Sequence, residues 1–238
     1  MIACDCPVCT SPDKKDNRLR ASIMVQSQTT TLVIDSGPDF RYQMLRARVK
    51  HLDAIIFTHS HKDHIAGMDD IRAFNYVLKR KVDIYAMDRV QKAIEREFPY
   101  IFEEIKYPGV PEITIHTISN DPFEIDGVKI IPIEVMHYRL PVFGYRFGHF
   151  TYITDANFIS PKEKEKIRGS KIIVINALRR EPHISHFTME EAVKMLEELA
   201  PEQGYLTHIS HQLGRNENVN AELPSFIRCA YDGLVLEI

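Results

Sequence analysis

The stretch His59-Ser60-His61-Lys62-Asp63-His64 places three imidazoles and one carboxylate within six consecutive positions. It directly follows the apolar run Ala54-Ile55-Ile56-Phe57, which predicts a buried strand that ends where the histidines begin. Four metal-binding side chains this close together strain the geometry of one tetrahedral ion, but they can serve two neighbouring ions. The pattern H-x-H-x-D-H at a strand end therefore indicates a dinuclear hydrolytic site.

The bulk composition narrows the class of protein. The chain has 238 residues, 44% of them hydrophobic, which is enough for one large domain or two small ones. Its formal net charge of -3 argues against a nucleic-acid partner, because nucleic-acid-binding proteins usually carry a basic excess. No apolar run approaches the roughly 18 residues that span a bilayer, and no signal-peptide pattern opens the chain. We therefore expect a cytoplasmic protein with no membrane partner.

Three of the four cysteines, Cys4, Cys6 and Cys9, lie within six positions near the N-terminus, and Cys229 lies alone near the C-terminus. Thiols so close in sequence form disulfides poorly, and one of the three would be left over. As three ligands of a tetrahedral zinc ion, they need a fourth ligand from elsewhere in the chain. The alternative is a set of reduced surface thiols. Cys229 is expected to be a small buried hydrophobic residue.

The remaining pattern predicts hairpin strands followed by helices. Strands are expected at 21–26, 31–35, 53–57, 150–154, 171–175, 204–207 and 234–238, and helices at 40–48, 65–76, 88–98 and 188–199. Asp126-Gly127, between two apolar runs, predicts a two-residue hairpin turn. This order fits neither a simple βαβ series nor an all-β fold. We expect an α/β chain with two packed mixed sheets and helices outside them.

Three further metal-binding residues accompany the first cluster. His137, Asp155 and His208 each lie within two positions of the C-terminal end of a predicted strand. A rigid scaffold holds such residues, so side chains from several strand ends can converge on one rim. Each residue alone would be weak support, but their shared placement supports the site that the first cluster indicates.

With these residues, the chain resembles the metallo-β-lactamase superfamily over nearly its whole length, and the five ligand motifs of the family occur in order. The resemblance implies a four-layer αββα sandwich, an α/β fold, with two divalent metals at the rim between the sheets. It also implies a single domain over residues 1–238, of which residues 1–20 form a zinc-binding cysteine loop.

The resemblance further implies three ligands for each metal and one carboxylate that bridges the pair. These are His59, His61 and His137 for one metal, Asp63, His64 and His208 for the other, and Asp155 as the bridge. Such nitrogen and oxygen ligands suit zinc or manganese, and the set does not choose between the two. Asp35 resembles the aspartate of the family that orients a ligand imidazole from behind.

Within the superfamily, the chain resembles the phosphoribosyl cyclic phosphate phosphodiesterases of carbon–phosphorus lyase pathways. Three segments carry this likeness: CDCPVC at 4–9, SHF at 185–187 and THISHQ at 207–212. By this resemblance, His211 completes a structural Cys₃His zinc site with Cys4, Cys6 and Cys9. The subgroup usually begins with a strand before its cysteine loop, whereas this chain begins at Met1-Ile2-Ala3. We therefore expect the usual first strand to be missing here.

The implied reaction is hydrolysis of a small, cyclic phosphodiester by a hydroxide that bridges the two metals. Asp63 and Asp155 hold the metals in this scheme, and His186 protonates the leaving oxygen or holds the phosphate. His183, three positions earlier, is ambiguous. The expected partner is the small phosphodiester substrate, and a homodimer is the default oligomeric state.

Three alternatives stay open. A transfer-RNA 3′-processing endonuclease shares the ligand motif, but that family carries a long glycine-rich, basic RNA-binding arm that has no counterpart here. A thioester or lactone hydrolase uses the same ligands, although the cysteine loop and His186 favour phosphorus chemistry. A non-hydrolytic cofactor-binding protein, like the pyrroloquinoline-quinone biosynthesis member of the superfamily, also has a cysteine-rich zinc loop. The complete ligand set argues against that last function, because a carrier does not need seven intact ligands.

Overall fold

The chain divides into two compact units in a computed structural model that describes residues 1–238. The histidine-cluster unit comprises residues 20–128, and the cysteine-loop unit comprises residues 1–19 and 129–238. Each unit has its own apolar core. The single-domain organisation expected from the sequence stays a prediction. None of the helices has both the length and the apolar character needed to cross a lipid bilayer.

The histidine-cluster unit contains a five-stranded sheet and four α-helices. In chain order, its strands are β1 (Ile23–Gln26), β2 (Thr31–Ile34), β3 (Ala54–Ile56), β4 (Val82–Ala86) and β5 (Ile113–Thr117), followed by the short β6 (Phe123–Ile125). Its helices are α1 (Phe40–Arg46), α2 (Lys62–Ile65), α3 (Arg72–Leu78) and α4 (Asp88–Glu97). The sheet order is β1-β2-β3-β4-β5, in which β1 is antiparallel to β2 and each later pair is parallel.

The burial of these strands explains their sequence patterns. Strands β2 and β3 are buried along their whole length, as continuous apolar runs in parallel sheets usually are. Strand β4 alternates instead, and its residues Val82, Ile84 and Ala86 enter the apolar core. Helix α4 adds Val90 and Ile94 to that core, four positions apart and therefore on one helical face.

The cysteine-loop unit contains the remaining elements. Its strands are β7 (Val128–His137), β8 (Leu140–Phe147), β9 (Phe150–Ile153), β10 (Phe158–Ile159), β11 (Ile172–Asn176), β12 (Gln203–Thr207) and β13 (Ile227–Cys229). Its helices are α5 (Pro161–Ile167), α6 (Met189–Leu199) and α7 (Asn216–Glu222). The sheet order is β10-β7-β8-β9-β11-β12-β13. The strands β9, β11, β12 and β13 run parallel to one another, while β8 is antiparallel to both β7 and β9.

Helix α6 begins with a capping box. The backbone N–H of Glu191 donates to Thr188 Oγ1 at 3.2 Å, and the backbone N–H of Thr188 donates to Glu191 Oε2 at 2.8 Å. These two bonds satisfy donors that a helix start otherwise leaves without partners. The helix buries Ala192, Leu196 and Leu199 at helical spacing and ends at Ala200, which has a left-handed backbone. The predicted helix 188–199 is therefore confirmed.

Two sequence predictions are wrong in detail. Residues 234–238 form no strand, and the final strand is β13, whose Ile227 and Cys229 are buried where Val235 and Ile238 are exposed. The helix predicted over 65–76 is interrupted, because α2 ends at Ile65, a 3₁₀ turn spans Met68–Ile71 and α3 starts at Arg72. The helix is interrupted because the chain packs at Gly67 against the turn after β2, whereas residues 234–238 pair with no strand.

The interruption between α2 and α3 lies at Gly67, which packs tightly against the turn after β2. The backbone N–H of Gly67 donates to the carbonyl oxygen of Ser36 at 2.7 Å. A Cβ at Gly67 would lie 2.2 Å from the carbonyl oxygen of Gly37 and 2.7 Å from Phe40 Cβ. A Cβ at Gly37 would similarly lie 2.2 Å from the carbonyl oxygen of Asp63. The two glycines therefore allow the histidine cluster to lie directly against the turn at residues 36 and 37.

We expect Gly67→Ala to lower the free energy of unfolding by about 3 kcal/mol or more, because the new methyl group overlaps backbone atoms that cannot move aside. The matched control is Gly127→Ala, since a Cβ there meets no atom within 4 Å and only the left-handed backbone is strained. That control should cost about 1 kcal/mol. Urea denaturation of both variants measures the difference, and equal losses would contradict the role of close packing at Gly67.

Candidate metal centres

The candidate ligands in the cysteine-loop unit lie at one edge of its sheet. Strand β7 runs in the same direction as β9, because both are antiparallel to β8, and β12 runs parallel to β9 through β11. The carboxyl ends of these strands therefore meet at a common edge. His137 ends β7, Asp155 follows the end of β9 by two residues, and His208 directly follows β12. The strand-end placement expected from the sequence is observed.

One oxygen of Asp155 faces three imidazoles within this unit. Asp155 Oδ1 lies 3.0 Å from Nε2 of His186, 3.4 Å from Nε2 of His208 and 4.0 Å from Nε2 of His137. The other oxygen accepts a 2.6 Å hydrogen bond from Thr154 Oγ1. The residue is 2% exposed, so the carboxylate has lost its water and needs compensation from these groups. Imidazole nitrogens gathered around a carboxylate are a donor set that fits a zinc or manganese ion.

His137 has a defined orientation. Its Nδ1 lies 2.8 Å from the backbone carbonyl oxygen of Ser185. A carbonyl oxygen can only accept, so Nδ1 carries the proton and donates it. The lone pair therefore stays on Nε2, the nitrogen on the side of Asp155. No sequence pattern identifies the Ser185 carbonyl as the partner of His137, although Ser185 directly precedes His186.

His186 is held on both ring nitrogens. Its Nε2 faces Asp155, while its Nδ1 lies 3.0 Å from Ser185 Oγ and 3.1 Å from His183 Nδ1. Burial, followed by the charge of His186, lowers the pKa of His183. His183 therefore favours its neutral form near pH 7. The sequence leaves the role of His183 open. In the structure it lies next to His186, the imidazole that is expected to act in phosphodiester cleavage.

The histidine cluster occupies a loop and the first turn of α2. His59 follows β3, His61 directly precedes the helix with an extended backbone, and Asp63 and His64 lie in the helix itself. Nε2 of His59 lies 3.0 Å from Nδ1 of His61, and the rings of His59 and His64 are 4.2 Å apart between centroids. His59 and His64 are fully buried. The strand-to-helix connection therefore gathers the four candidate ligands of this unit.

Asp35 lies behind His64. Its Oδ2 lies 2.7 Å from His64 Nδ1 and accepts a 2.8 Å hydrogen bond from Thr58 Oγ1. Its Oδ1 accepts a 2.8 Å hydrogen bond from the backbone N–H of Thr58. Complete burial raises the pKa of Asp35, and the neighbouring His64 opposes that rise. Because Nδ1 of His64 faces this carboxyl group, Nε2 is the nitrogen that would bind a metal.

Three candidate residues share an uncommon backbone conformation. Asp35, Asp155 and His208 have positive φ angles of 64°, 54° and 51°, and each follows the end of a strand by one or two residues. A left-handed backbone costs roughly 1–2 kcal/mol for a residue with a Cβ. Non-glycine residues held in this conformation concentrate at functional sites. The backbone therefore supports a functional role for these strand ends.

A separate cluster contains the N-terminal cysteines. The ligand atoms of Cys4, Cys6, Cys9 and His211 all lie within 4.8 Å of one another, and His211 Nδ1 is 3.5 Å from Cys4 Sγ and 3.4 Å from Cys6 Sγ. Ligand atoms of a tetrahedral zinc site are separated by about 3.5 Å, since zinc–ligand bonds are roughly 2.0–2.3 Å long. The hydrogen bond with His211 lowers the pKa of Cys6 to about 6. Its thiolate, the form that binds zinc, is therefore present at neutral pH.

The cysteine loop is anchored within its unit by contacts that no sequence pattern predicts. Arg215 Nε donates to the carbonyl oxygen of Pro7 at 3.2 Å. The backbone N–H of Asn216 donates to Asp16 Oδ1 at 2.7 Å. Cys229 lies outside this cluster; it is buried, and desolvation raises the pKa of its thiol to about 11. Its predicted character as a small buried residue is confirmed.

Two arginines that flank the candidate site are occupied by protein acceptors. Both Nη atoms of Arg180 bind the carboxylate of Glu222, at 2.7 and 2.9 Å. Arg179 donates to the carbonyl oxygens of Glu181 and Pro182 and so holds its own loop. Neither guanidinium is left with the full donor set that phosphate recognition uses.

Comparisons with known proteins identify the family of the chain. The sequence model of the β-lactamase superfamily domain matches residues 30–209. A solved structure described as a new diphosphatase from the PhnP family is 39% identical, with a TM-score of 0.93, and the match covers 100% of this chain and 91% of that one. The chain therefore belongs to the β-lactamase superfamily and has the α/β metallo-β-lactamase fold, as predicted. Within the superfamily it resembles the PhnP family, and the predicted class of metal-dependent hydrolases is confirmed at the level of the family.

Two curated relatives are longer than this chain. An octanoyltransferase of Porphyromonas gingivalis is 34% identical over 236 residues, which are 98% of this chain and 48% of that protein. A ribonuclease Z of a Nostoc species is 25% identical over 139 residues, which are 57% of this chain and 42% of that protein. The chain thus spans about half the length of the curated relatives that it matches.

We expect Asp35→Ala to weaken the affinity for the catalytic metals about 10- to 100-fold, because His64 loses the group that orients it. The matched control is Asp53→Ala. Asp53 is also buried and also lies 2.7 Å from an imidazole nitrogen, that of His51, outside the candidate site. Competition with a zinc chelator measures the affinity of both variants. An equal loss in the two would show that Asp35 acts only through stability.

We expect Cys6→Ser and His211→Ala each to remove one zinc ion per chain and to lower the melting temperature, because either change leaves the site one ligand short. Cys229→Ser should keep that zinc, since this thiol lies outside the cluster. Metal analysis after exhaustive dialysis gives the count. Full zinc retention in Cys6→Ser would rule out the four-ligand site.

Proposed function

We propose that the protein is a metal-dependent hydrolase of small phosphate esters, with a cyclic phosphodiester or a diphosphate as substrate. The observation that carries this proposal is the buried Asp155 carboxylate, which His186, His208 and His137 face with their Nε2 atoms. The 39% identity to a diphosphatase of the PhnP family supports phosphorus as the atom attacked.

The proposal assigns the seven candidate ligands to two divalent ions, zinc or manganese. The order of the ligand motifs and the family membership of the chain support this assignment. One ion would bind His59, His61 and His137, the other would bind Asp63, His64 and His208, and Asp155 would bridge the two. When bound, such ions supply charge for the phosphate oxygens and a water nucleophile with a lowered pKa. A third ion, a structural zinc, binds Cys4, Cys6, Cys9 and His211.

The chain's own residues position this chemistry. Asp35 and the carbonyl of Ser185 hold the imidazoles of His64 and His137, so each presents Nε2 to its ion. His186 gives a proton to the leaving oxygen through Nε2. Its Nδ1 stays next to Ser185 Oγ and His183, which keep the ring in place.

Alternative functions are each supported by a narrower observation. Thioester hydrolysis is favoured by the Porphyromonas gingivalis relative, whose name concerns octanoyl groups, but this chain spans 48% of that protein. RNA cleavage is favoured by the ribonuclease Z relative, but the match covers 57% of this chain and the net charge is -3. The non-hydrolytic binding function has no comparable support beyond the shared zinc loop.

Two further proposals concern the cellular compartment and the oligomeric state of the protein. The three clustered thiols must stay reduced to bind zinc, which favours a reducing compartment such as the cytoplasm. A homodimer is proposed because symmetric dimers are the commonest assemblies of soluble enzymes.

We expect the metal-loaded protein to hydrolyse bis(p-nitrophenyl) phosphate, cyclic ribonucleotides or a ribosyl cyclic phosphate faster than an octanoyl thioester or a lactone. His186→Ala should lower kcat on the phosphorus substrates by roughly 10²- to 10⁴-fold, the range for loss of a general acid. His149→Ala is the control, because this histidine of the same unit is exposed and lies outside the cluster. Hydrolysis of acyl substrates alone would refute the proposal, and full activity of the metal-loaded His186 variant would remove that residue from the mechanism.

A further inference from the structure

Arg20 is the first residue of the histidine-cluster unit, and both its backbone N–H and its carbonyl oxygen form hydrogen bonds. Its N–H donates to Asp39 Oδ2 at 2.8 Å, and its carbonyl oxygen accepts from Gln43 Nε2 at 2.9 Å. Gly37 passes close beside it, since a Cβ there would lie 3.4 Å from Arg20 Cβ and 2.2 Å from the carbonyl oxygen of Asp63. This glycine turn therefore brings the stem of Arg20 next to the first turn of α2.

The guanidinium of Arg20 forms a long, exposed ion pair with a candidate metal ligand. Nη1 is 3.9 Å from Asp63 Oδ2, a distance beyond hydrogen-bond range, and the side chain is 59% exposed. By contrast, Arg180 forms two short bonds with Glu222, and Arg80 binds Asp53 at 2.6 Å. The exposed guanidinium of Arg20 therefore lies at the edge of the histidine cluster, where a side chain on a fixed backbone can reach an anion.

We propose that Arg20 binds the second phosphoryl group of a diphosphate substrate and so favours diphosphates over esters with one phosphate. This proposal rests on the proposed function, in which Asp63 binds a catalytic ion. A diphosphate carries more negative charge than a phosphodiester, so it gains more from an additional cation. The planar guanidinium can also offer two parallel N–H donors to the oxygens of one phosphoryl group.

The reaction that follows from this proposal is hydrolysis of the P–O–P bond of a diphosphate. The oxygen of water forms a bond to one phosphorus atom, and the bond from that phosphorus to the bridging oxygen breaks. The bridging oxygen leaves with the other phosphate and takes up a proton, so the products are two phosphate esters. In this scheme Arg20 holds the phosphate that leaves, and no oxidant or further reactant is needed.

The test compares Arg20→Ala and Arg20→Lys with Arg41→Ala, which removes an exposed arginine from α1 of the same unit. The substrates are the symmetrical bis(p-nitrophenyl) diphosphate and bis(p-nitrophenyl) phosphate, which share their organic groups. We expect Arg20→Ala to raise KM for the diphosphate roughly 10- to 100-fold, as the loss of charge-assisted hydrogen bonds does. The change for the monophosphate diester should be at least about tenfold smaller. Arg20→Lys should recover part of the loss, because it keeps the charge but not the paired donors.

A binding measurement separates this proposal from the proposed function. Calorimetric titration of the metal-loaded protein with inorganic pyrophosphate and with inorganic phosphate should show weaker pyrophosphate binding in Arg20→Ala only. Hydrolysis of neither ester by the native protein would refute the proposed function, while pyrophosphate binding would still report on Arg20. Equal effects on both esters, no effect, or loss of metal from Arg20→Ala would each overturn the role of Arg20 in selecting diphosphates.

Discussion

In both units, the chain turns at the carboxyl end of a strand that runs within a parallel set, and the residue at the turn carries a candidate metal-binding or metal-orienting side chain. Asp35 follows β2, Asp155 follows β9 and His208 follows β12, each with a left-handed backbone. Parallel strands end at a common edge, so residues far apart in sequence are placed side by side there. The candidate chemistry depends on this constraint, because no single loop of the chain carries all the ligands.

The cost of burying these groups explains the contacts around them. Asp35 and Asp155 are carboxyl groups removed from water, and each is surrounded by hydroxyl, amide or imidazole groups that compensate for the lost solvation. The contact of Asp35 with Nδ1 of His64 also leaves the lone pair of that ring on Nε2. The cysteine loop differs, because its three candidate ligands come from one short segment and only His211 is distant in sequence.

In the proposed function, the choice of substrate depends on the charges that surround the candidate ligands rather than on those ligands themselves. The same donor set can support attack on phosphorus or on an acyl carbon. In the proposed function, His186 beside Asp155 serves a leaving group that needs a proton, and Arg20 beside Asp63 serves a substrate with additional negative charge. Arg180 does not contribute in this way, because Glu222 occupies both of its Nη atoms.

The sequence by itself determined the residue types of the candidate ligands, the strand ends on which they lie and the cysteine loop, because these are patterns of residue identity over a few positions. Through the resemblance it also indicated the fold and paired His211 with the cysteines. Only the tertiary structure decided which ring nitrogen of His137 or His64 faces its partner, and it brought His183 to His186. It also corrected the strand predicted at 234–238, whose apolar residues pair with no neighbouring strand. Burial and hydrogen bonding depend on residues distant in sequence, so local patterns cannot specify them.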